Sequence, residues 1–176
     1  MPEQMRQLAA IMFTDIVGYT ALMGQDEQKA FEILKKNRDI QKPLIEQNSG
    51  KWIKELGDGI LVSFTTVSGA VNAAVSIQQI CSDSREFQLR IGIHLGEVIF
   101  ENGDVFGDGV NVASGKEALT QSRQHFVSES VLGNLPNKKY GHKWDLLRPD
   151  PPFSKFMKNE FSKIPIMNRC NRKNDQ

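Results

Sequence analysis

Apolar residues along this chain alternate between unbroken runs and helically spaced positions. Residues 8–17 form a nearly continuous apolar run, closed by Gly18 and interrupted by one acid, Asp15. Such a run predicts a strand buried on both faces. Between positions 26 and 47, Ala30, Phe31, Ile33, Leu34, Ile40, Leu44 and Ile45 recur at helical spacing with charges between them. That pattern predicts an amphipathic helix, with Pro43 as a place for it to bend. Residues 51–56 and 60–64 read as two strands joined by a tight turn, Gly57-Asp58-Gly59, because glycine and aspartate tolerate the positive φ of a hairpin reversal. Residues 68–80 predict a small-residue helix able to lie close on a sheet, and 89–100 return to strand with a break at Gly96. Residues 102–108 read as a polar, glycine-rich loop leading into a helix over 109–119, and 126–128 as a further strand.

The order strand, helix, hairpin, helix, strand, helix, strand contains no internal repeat. It predicts the α+β class, with a mixed sheet covered by helices on the ferredoxin-like βαββαβ plan. Beyond about position 144 the periodicity fails. Arg148-Pro149-Asp150-Pro151-Pro152 reads as turn or extended chain, and the segment after it carries Lys155, Lys158, Lys163, Arg169, Arg172 and Lys173 against only Glu160 and Asp175. One domain over 1–147 is therefore expected, followed by a basic, proline-punctuated tail over 148–176 with the composition of a partly disordered segment.

Composition narrows the function classes. With 39% hydrophobic and 24% charged residues in 176 positions, the chain suits a single domain with a true core. A formal net charge of +1 supplies no global basic field for nucleic acid or a membrane surface, so any anion site has to be local. Cys81 and Cys170 stand far apart and outside any CxxC or Cys/His cluster. A disulfide framework and a zinc site are thereby disfavoured, and a reducing cytoplasm is expected. The first residues lack an apolar signal segment, and no run approaches the roughly 18 apolar residues of a membrane helix. The expectation is a soluble protein.

Candidate chemistry begins with two aspartates. Asp15 ends an apolar strand and Asp58 sits at a hairpin tip; if those strands are neighbours, both carboxylates meet at one sheet edge. A buried carboxylate is protonated, hydrogen-bonded or bound to a cation. Taken singly, Asp15 also suits a helix cap and Asp58 a plain turn. Gly18-Tyr19-Thr20 follows directly and opens a short predicted helix, whose unpaired N–H groups suit phosphate oxygens. Mg²⁺ takes few carboxylates and completes its shell with substrate phosphates, so two aspartates and a triphosphate are complementary. His94, Trp52 and Trp144 read as structural residues and Asp108 as a cap or turn.

FTDIVGYT (13–20), KELGDG (54–59) and DVFGDGVNVAS (104–114) occur in the order and at about the separations of class III adenylyl and guanylyl cyclases, which this chain resembles. RIGIHLGE (90–97) and FVSESV (126–131) are similar to that family as well, so the resemblance spans residues 8–131. It implies that Asp15 and Asp58, with the Ile16 carbonyl, hold two Mg²⁺ or Mn²⁺ ions. Lys54, four residues before Asp58, and Asp104, seven before Asn111, match the positions at which family adenylyl cyclases read adenine. Lysine can donate to ring N1 and a carboxylate can accept from the N6 amine, whereas guanine would mismatch both, so ATP is the implied substrate. Asn111 matches the asparagine that orients the ribose. The resemblance further implies a head-to-tail homodimer, with the metal aspartates from one subunit and the purine readers from the other, and a regulatory module elsewhere.

Two departures stand out. Four residues after Asn111, where the family carries a transition-state arginine, this chain has Gly115, with Lys116 beside it. Successive helical residues point about 100° apart, so Lys116 does not simply replace a guanidinium at 115. The C-terminal end also lacks the expected strands, and none of Lys138, Lys139 or Lys143 aligns with a phosphate-binding lysine. Two functions follow as alternatives. One is an adenylate cyclase forming 3′,5′-cyclic AMP and pyrophosphate, impaired at position 115; the other is a degenerate module that binds nucleotide or dimerises. A diguanylate cyclase or polymerase palm would share the plan, but no GGDEF-like hairpin is present.

Overall fold

A computed structural model describes residues 6–107, 110, 125–127, 131, 134 and 135. Its elements are β1 (Arg6–Ile16), α1 (Tyr19–Gln25), α2 (Glu27–Gln47), β2 (Gly50–Leu56), β3 (Gly59–Phe64), α3 (Val67–Ser84), β4 (Leu89–Glu101), β5 (Asp104–Phe106) and β6 (His125–Val127). The strands form one sheet in the order β2-β3-β1-β4-β5, with β6 also on β4. All pairings are antiparallel except β4 with β6, which makes the sheet mixed. The set β1, α2, β2, β3, α3, β4, with β1 between β3 and β4, is the expected ferredoxin-like βαββαβ core.

β1 is apolar on both faces because each face serves a different core. Ala10, Met12 and Ile16 join the larger cluster, which includes Ile33 and Ile45 of α2 and Val71, Ala74 and Ile77 of α3. Ala9, Ile11 and Phe13 join a smaller one with Leu61, Val98 and Val105. Burying each large side chain contributes about 1.5–3 kcal/mol, so a central strand that fills two cores anchors the domain.

Helix α2 starts at Asp26, whose carboxylate accepts from the Lys29 N–H at 3.0 Å, and it contains Pro43. Its buried face runs Ala30, Ile33, Asn37, Gln41, Ile45, so two amides occupy positions at which an apolar stripe was expected. They are tied into the core: Thr14 Oγ1 donates to Gln41 Oε1 at 3.0 Å, and Gln41 Nε2 donates to Asn37 Oδ1 at 2.5 Å. Phe31, part of the expected apolar stripe, instead lies 54% exposed. Helix α3 is capped by Thr66, which accepts from the Gly69 N–H at 3.1 Å, and it buries Ala70, Ala73 and Ala74 completely, as close approach to the sheet requires.

Two expectations are corrected along β4 and after it. Gly96 does not break the strand, because it pairs with Ala9 inside a continuous β1–β4 ladder. The predicted loop over 102–108 contains a strand, β5, reached through Asn102 at φ 51° and Gly103 at φ 83°. Two successive positive φ values make a tight hairpin turn, for which Asn-Gly is the preferred pair.

β2 and β5 stand at opposite ends of the sheet order, yet Lys54 of β2 reaches Asp104 of β5, and the Lys51 ammonium lies 5.9 Å from the Phe100 ring centroid. The sheet therefore coils around the smaller cluster until its edges meet. The predicted helix over 109–119, with Asn111, Gly115 and Lys116, lies outside the described residues apart from Val110, as do Asp108, Trp144 and the 148–176 tail. Among the described residues, no helix is long and apolar enough to cross a membrane.

Candidate functional site

The first group of functional residues forms where β1 meets the β2–β3 turn. Strand alternation puts Asp15 on the same face as Ile11 and Phe13, toward the smaller cluster. Two glycines bring the turn there. Gly57 takes φ 67°, a left-handed conformation that glycine adopts without steric cost. At Gly59 an added Cβ would stand 2.5 Å from Phe13 Cζ, so only glycine lets the hairpin lie this close to β1. Asp58 then reaches the end of the strand, where its Oδ2 accepts from the Ile16 backbone N–H at 3.1 Å.

The two carboxylates thus converge, as the sequence predicted. Asp15 is also the register partner of Arg90 on β4, and an Arg90 guanidinium N–H donates to Asp15 Oδ2. Both side chains are largely withdrawn from water, 13% exposed for Asp15 and 17% for Arg90. Burial raises the Asp15 carboxyl to about 6, with the neighbouring Asp58 adding to the rise and Arg90 opposing it. The site is short of positive charge even with Arg90 in place. That deficit, and the pairing of two acids, fit a dication that takes one or two carboxylates and completes its shell with phosphate oxygens and water. Among the described residues, no cluster of three or more His, Cys, Asp or Glu offers an all-protein cage.

Arg90 was not singled out from sequence, although a signal existed. It is the one cation between positions 86 and 100, just as Asp15 is the one acid between 4 and 25. The one acid of one apolar strand and the one arginine of another are natural cross-strand partners.

Gly18, Tyr19 and Thr20 follow immediately. Gly18, at φ 75°, is the N-cap of α1, no side chain caps the helix, and its carbonyl accepts from the Leu22 N–H at 3.1 Å. The first turn of α1 therefore opens beside the Asp15–Asp58 pair. The Ile16 backbone contributes its N–H to Asp58.

The second group is the ion pair that joins the sheet edges. Lys54 Nζ donates to Asp104 Oδ2 at 2.6 Å, and Asp104 Oδ1 accepts from the Val105 N–H at 2.7 Å. These two bonds, Lys54 first, hold the Asp104 carboxyl below the usual range. About a third of each side chain stays exposed, so a donor and an acceptor remain presented side by side to a ligand. A shift in register between Trp52 and Lys54 re-aims β2 at this point, a common role for a bulge beside a site. No hydrogen bond or ion pair among the described residues links this group to Asp15 and Asp58. Asn111, the remaining predicted site residue, lies outside the described residues.

Among curated proteins, the chain is 37% identical over 134 residues to a putative adenylate cyclase 3 of Rhizobium meliloti, covering 72% of this chain and 23% of that protein. It is 31% identical over 114 residues to an adenylate cyclase of Streptomyces coelicolor, covering 64% and 30%. The chain thus spans less than a third of these relatives' length. Among solved structures, an adenylate/guanylate cyclase/hydrolase from Silicibacter pomeroyi superposes with TM-score 0.61 at 38% identity, covering 66% of this chain and 73% of that one. A bacterial light-regulated adenylyl cyclase gives 0.67 at 21% identity, covering 77% and 47%, a likeness of fold. The family model of the adenylate and guanylate cyclase catalytic domain matches residues 1–145, and the chain belongs to that family.

Proposed function

We propose that this domain converts ATP into 3′,5′-cyclic AMP and pyrophosphate at a site shared by two copies arranged head to tail. The observation that carries the reading is the convergence of Asp58 on the end of β1, which puts two carboxylates at one place beside the first turn of α1. The family is generally dependent on divalent metal, binds nucleotide and usually acts as a dimer. Asp15 and Asp58, with the Ile16 carbonyl, would hold two Mg²⁺ or Mn²⁺ ions. Ions held there would supply positive charge that eases ionisation of the ribose 3′-hydroxyl and neutralises the triphosphate.

The chain's own residues do the rest by position. N–H groups at Gly18, Tyr19 and Thr20 face the phosphates. Lys54 donates to adenine N1 and Asp104 accepts from the N6 amine, while Asn111 orients the ribose. A bond forms between the 3′-oxygen and the α-phosphorus, the bond from that phosphorus to the bridging oxygen breaks, and pyrophosphate leaves. The 3′-hydroxyl proton passes to solvent, so no side-chain nucleophile is needed. Sharing between copies is supported by the family's usual action as a dimer.

Gly115 favours a second reading, a cyclase-homology module that binds nucleotide without turning it over. Loss of one preorganised donor typically costs about 10²–10³ in rate, which leaves measurable turnover if the remainder is intact. Titration with ATP in the presence and absence of Mn²⁺, followed by product analysis, separates the two. Cyclic AMP above a no-enzyme blank supports the cyclase; Mn²⁺-dependent binding without product supports the module.

A further inference from the structure

Arg90 already occupies Asp15. Its guanidinium donates to Oδ2 of that carboxylate from the opposite position on β4, and the pair is mostly shielded from water. Asp58 brings a second carboxylate to the same place through Ile16 N–H, so Arg90 is the cation that offsets two gathered acids in the free domain. Its hold is incomplete, since the buried Arg90 Nε has no partner among the described residues. A dication held by Asp15 would stand beside this guanidinium on one carboxylate, and repulsion between the two cations favours exchange of one for the other.

We infer that Arg90 is a resident counter-cation, a positioning residue that a divalent ion has to displace from Asp15, and that it thereby keeps metal affinity low in the nucleotide-free domain. This rests on Asp15 and Asp58 being the metal ligands. An unpaired buried carboxylate is strongly unfavourable, so removing the guanidinium leaves the two acids demanding a cation. The effect is opposite in sign to that of a residue that merely props the site in shape, whose loss would weaken metal binding.

The test uses Mn²⁺ alone, titrated without nucleotide and followed by electron paramagnetic resonance, on the whole chain. Arg90→Gln tightens Mn²⁺ binding about tenfold or more, while Asp15→Asn and Asp58→Asn remove it. Unchanged or weaker Mn²⁺ binding in Arg90→Gln, with the aspartate variants still deficient, overturns the counter-cation role and leaves the metal site standing. Aspartate variants that bind Mn²⁺ like wild type overturn the metal site itself. Should Arg90→Gln fail to fold, nitrogen NMR of the wild-type guanidinium decides. Hindered Arg90 N–H signals that become mobile on adding Mg²⁺ support displacement, and signals that stay hindered at saturating Mg²⁺ contradict it.

Discussion

The backbone N–H of Ile16 donates to Asp58 Oδ2 at 3.1 Å across a separation of 42 residues. That bond holds the hairpin tip against the end of the central strand and brings Asp58 to the strand that carries Asp15. It depends on Gly57 for the turn and on Gly59 for the close pass over Phe13. The GDG sequence is thus a geometric device for delivering a carboxylate.

Asp15 gives the metal-free domain a defined pH dependence. Its folded value of about 6 stands above the ordinary 3.8, so the folded state binds this proton more tightly than the unfolded chain. The associated stability is fully present below the unfolded value and is lost as pH rises through about 6. In EDTA, urea unfolding of Asp15→Asn gains on wild type by about 1.4 kcal/mol between pH 5 and 7.5. Parallel stability curves would show that the carboxyl is not perturbed.

On the proposed reading, purine choice rests on the Lys54–Asp104 pair. Lys54→Glu combined with Asp104→Cys provides an acceptor for guanine N1–H and removes the demand for the adenine amine. The double variant loses discrimination against GTP, measured as the ratio of ATP and GTP affinities. An intact preference for ATP would put base reading elsewhere.

Gly115→Arg raises kcat by more than it changes KM, because a guanidinium at the α-phosphate acts chiefly where negative charge develops. In the helix the sequence predicts over 109–119, replacing a glycine would also contribute about 0.5–1 kcal/mol of stability, so Gly115→Ala is the control for the backbone effect. Arginine accelerates and alanine does not. Equal rates in all three chains would deny position 115 a part in the chemistry.

Much of the fold was legible because burial leaves a periodic signature. The run at 8–17 announced a strand buried on both faces, the run at 60–64 a hairpin strand, and the small residues at 70, 73 and 74 a helix close on the sheet. Asp15 was visible as an acid within apolar sequence, and Gly57-Asp58-Gly59 as a turn. Strand β5 was missed because three residues carry little periodicity, although Asn102-Gly103 is a hairpin pair. Asn37 and Gln41 look like surface positions in sequence and are buried, with Gln41 bonded to both Thr14 and Asn37. Arg90 became visible as a site residue only when β1 and β4 were paired in register. Cross-strand partners far apart in sequence cannot be read from either strand alone.

Complementation in mixed dimers tests the central claim most directly. On the proposed reading Asp58→Asn lacks a metal ligand and Asp104→Ala lacks a purine reader, so each alone forms two defective sites. If two head-to-tail copies share each site, a mixed dimer contains one site with every group intact. Random equal mixing then restores about a quarter of the wild-type rate of cyclic AMP formation from ATP with Mn²⁺, as expected for a closed two-fold dimer. A wild-type chain that makes cyclic AMP, with a mixture no more active than its separate components, would contradict the shared site; a wild-type chain that binds ATP and Mn²⁺ but makes no cyclic AMP would contradict the cyclase.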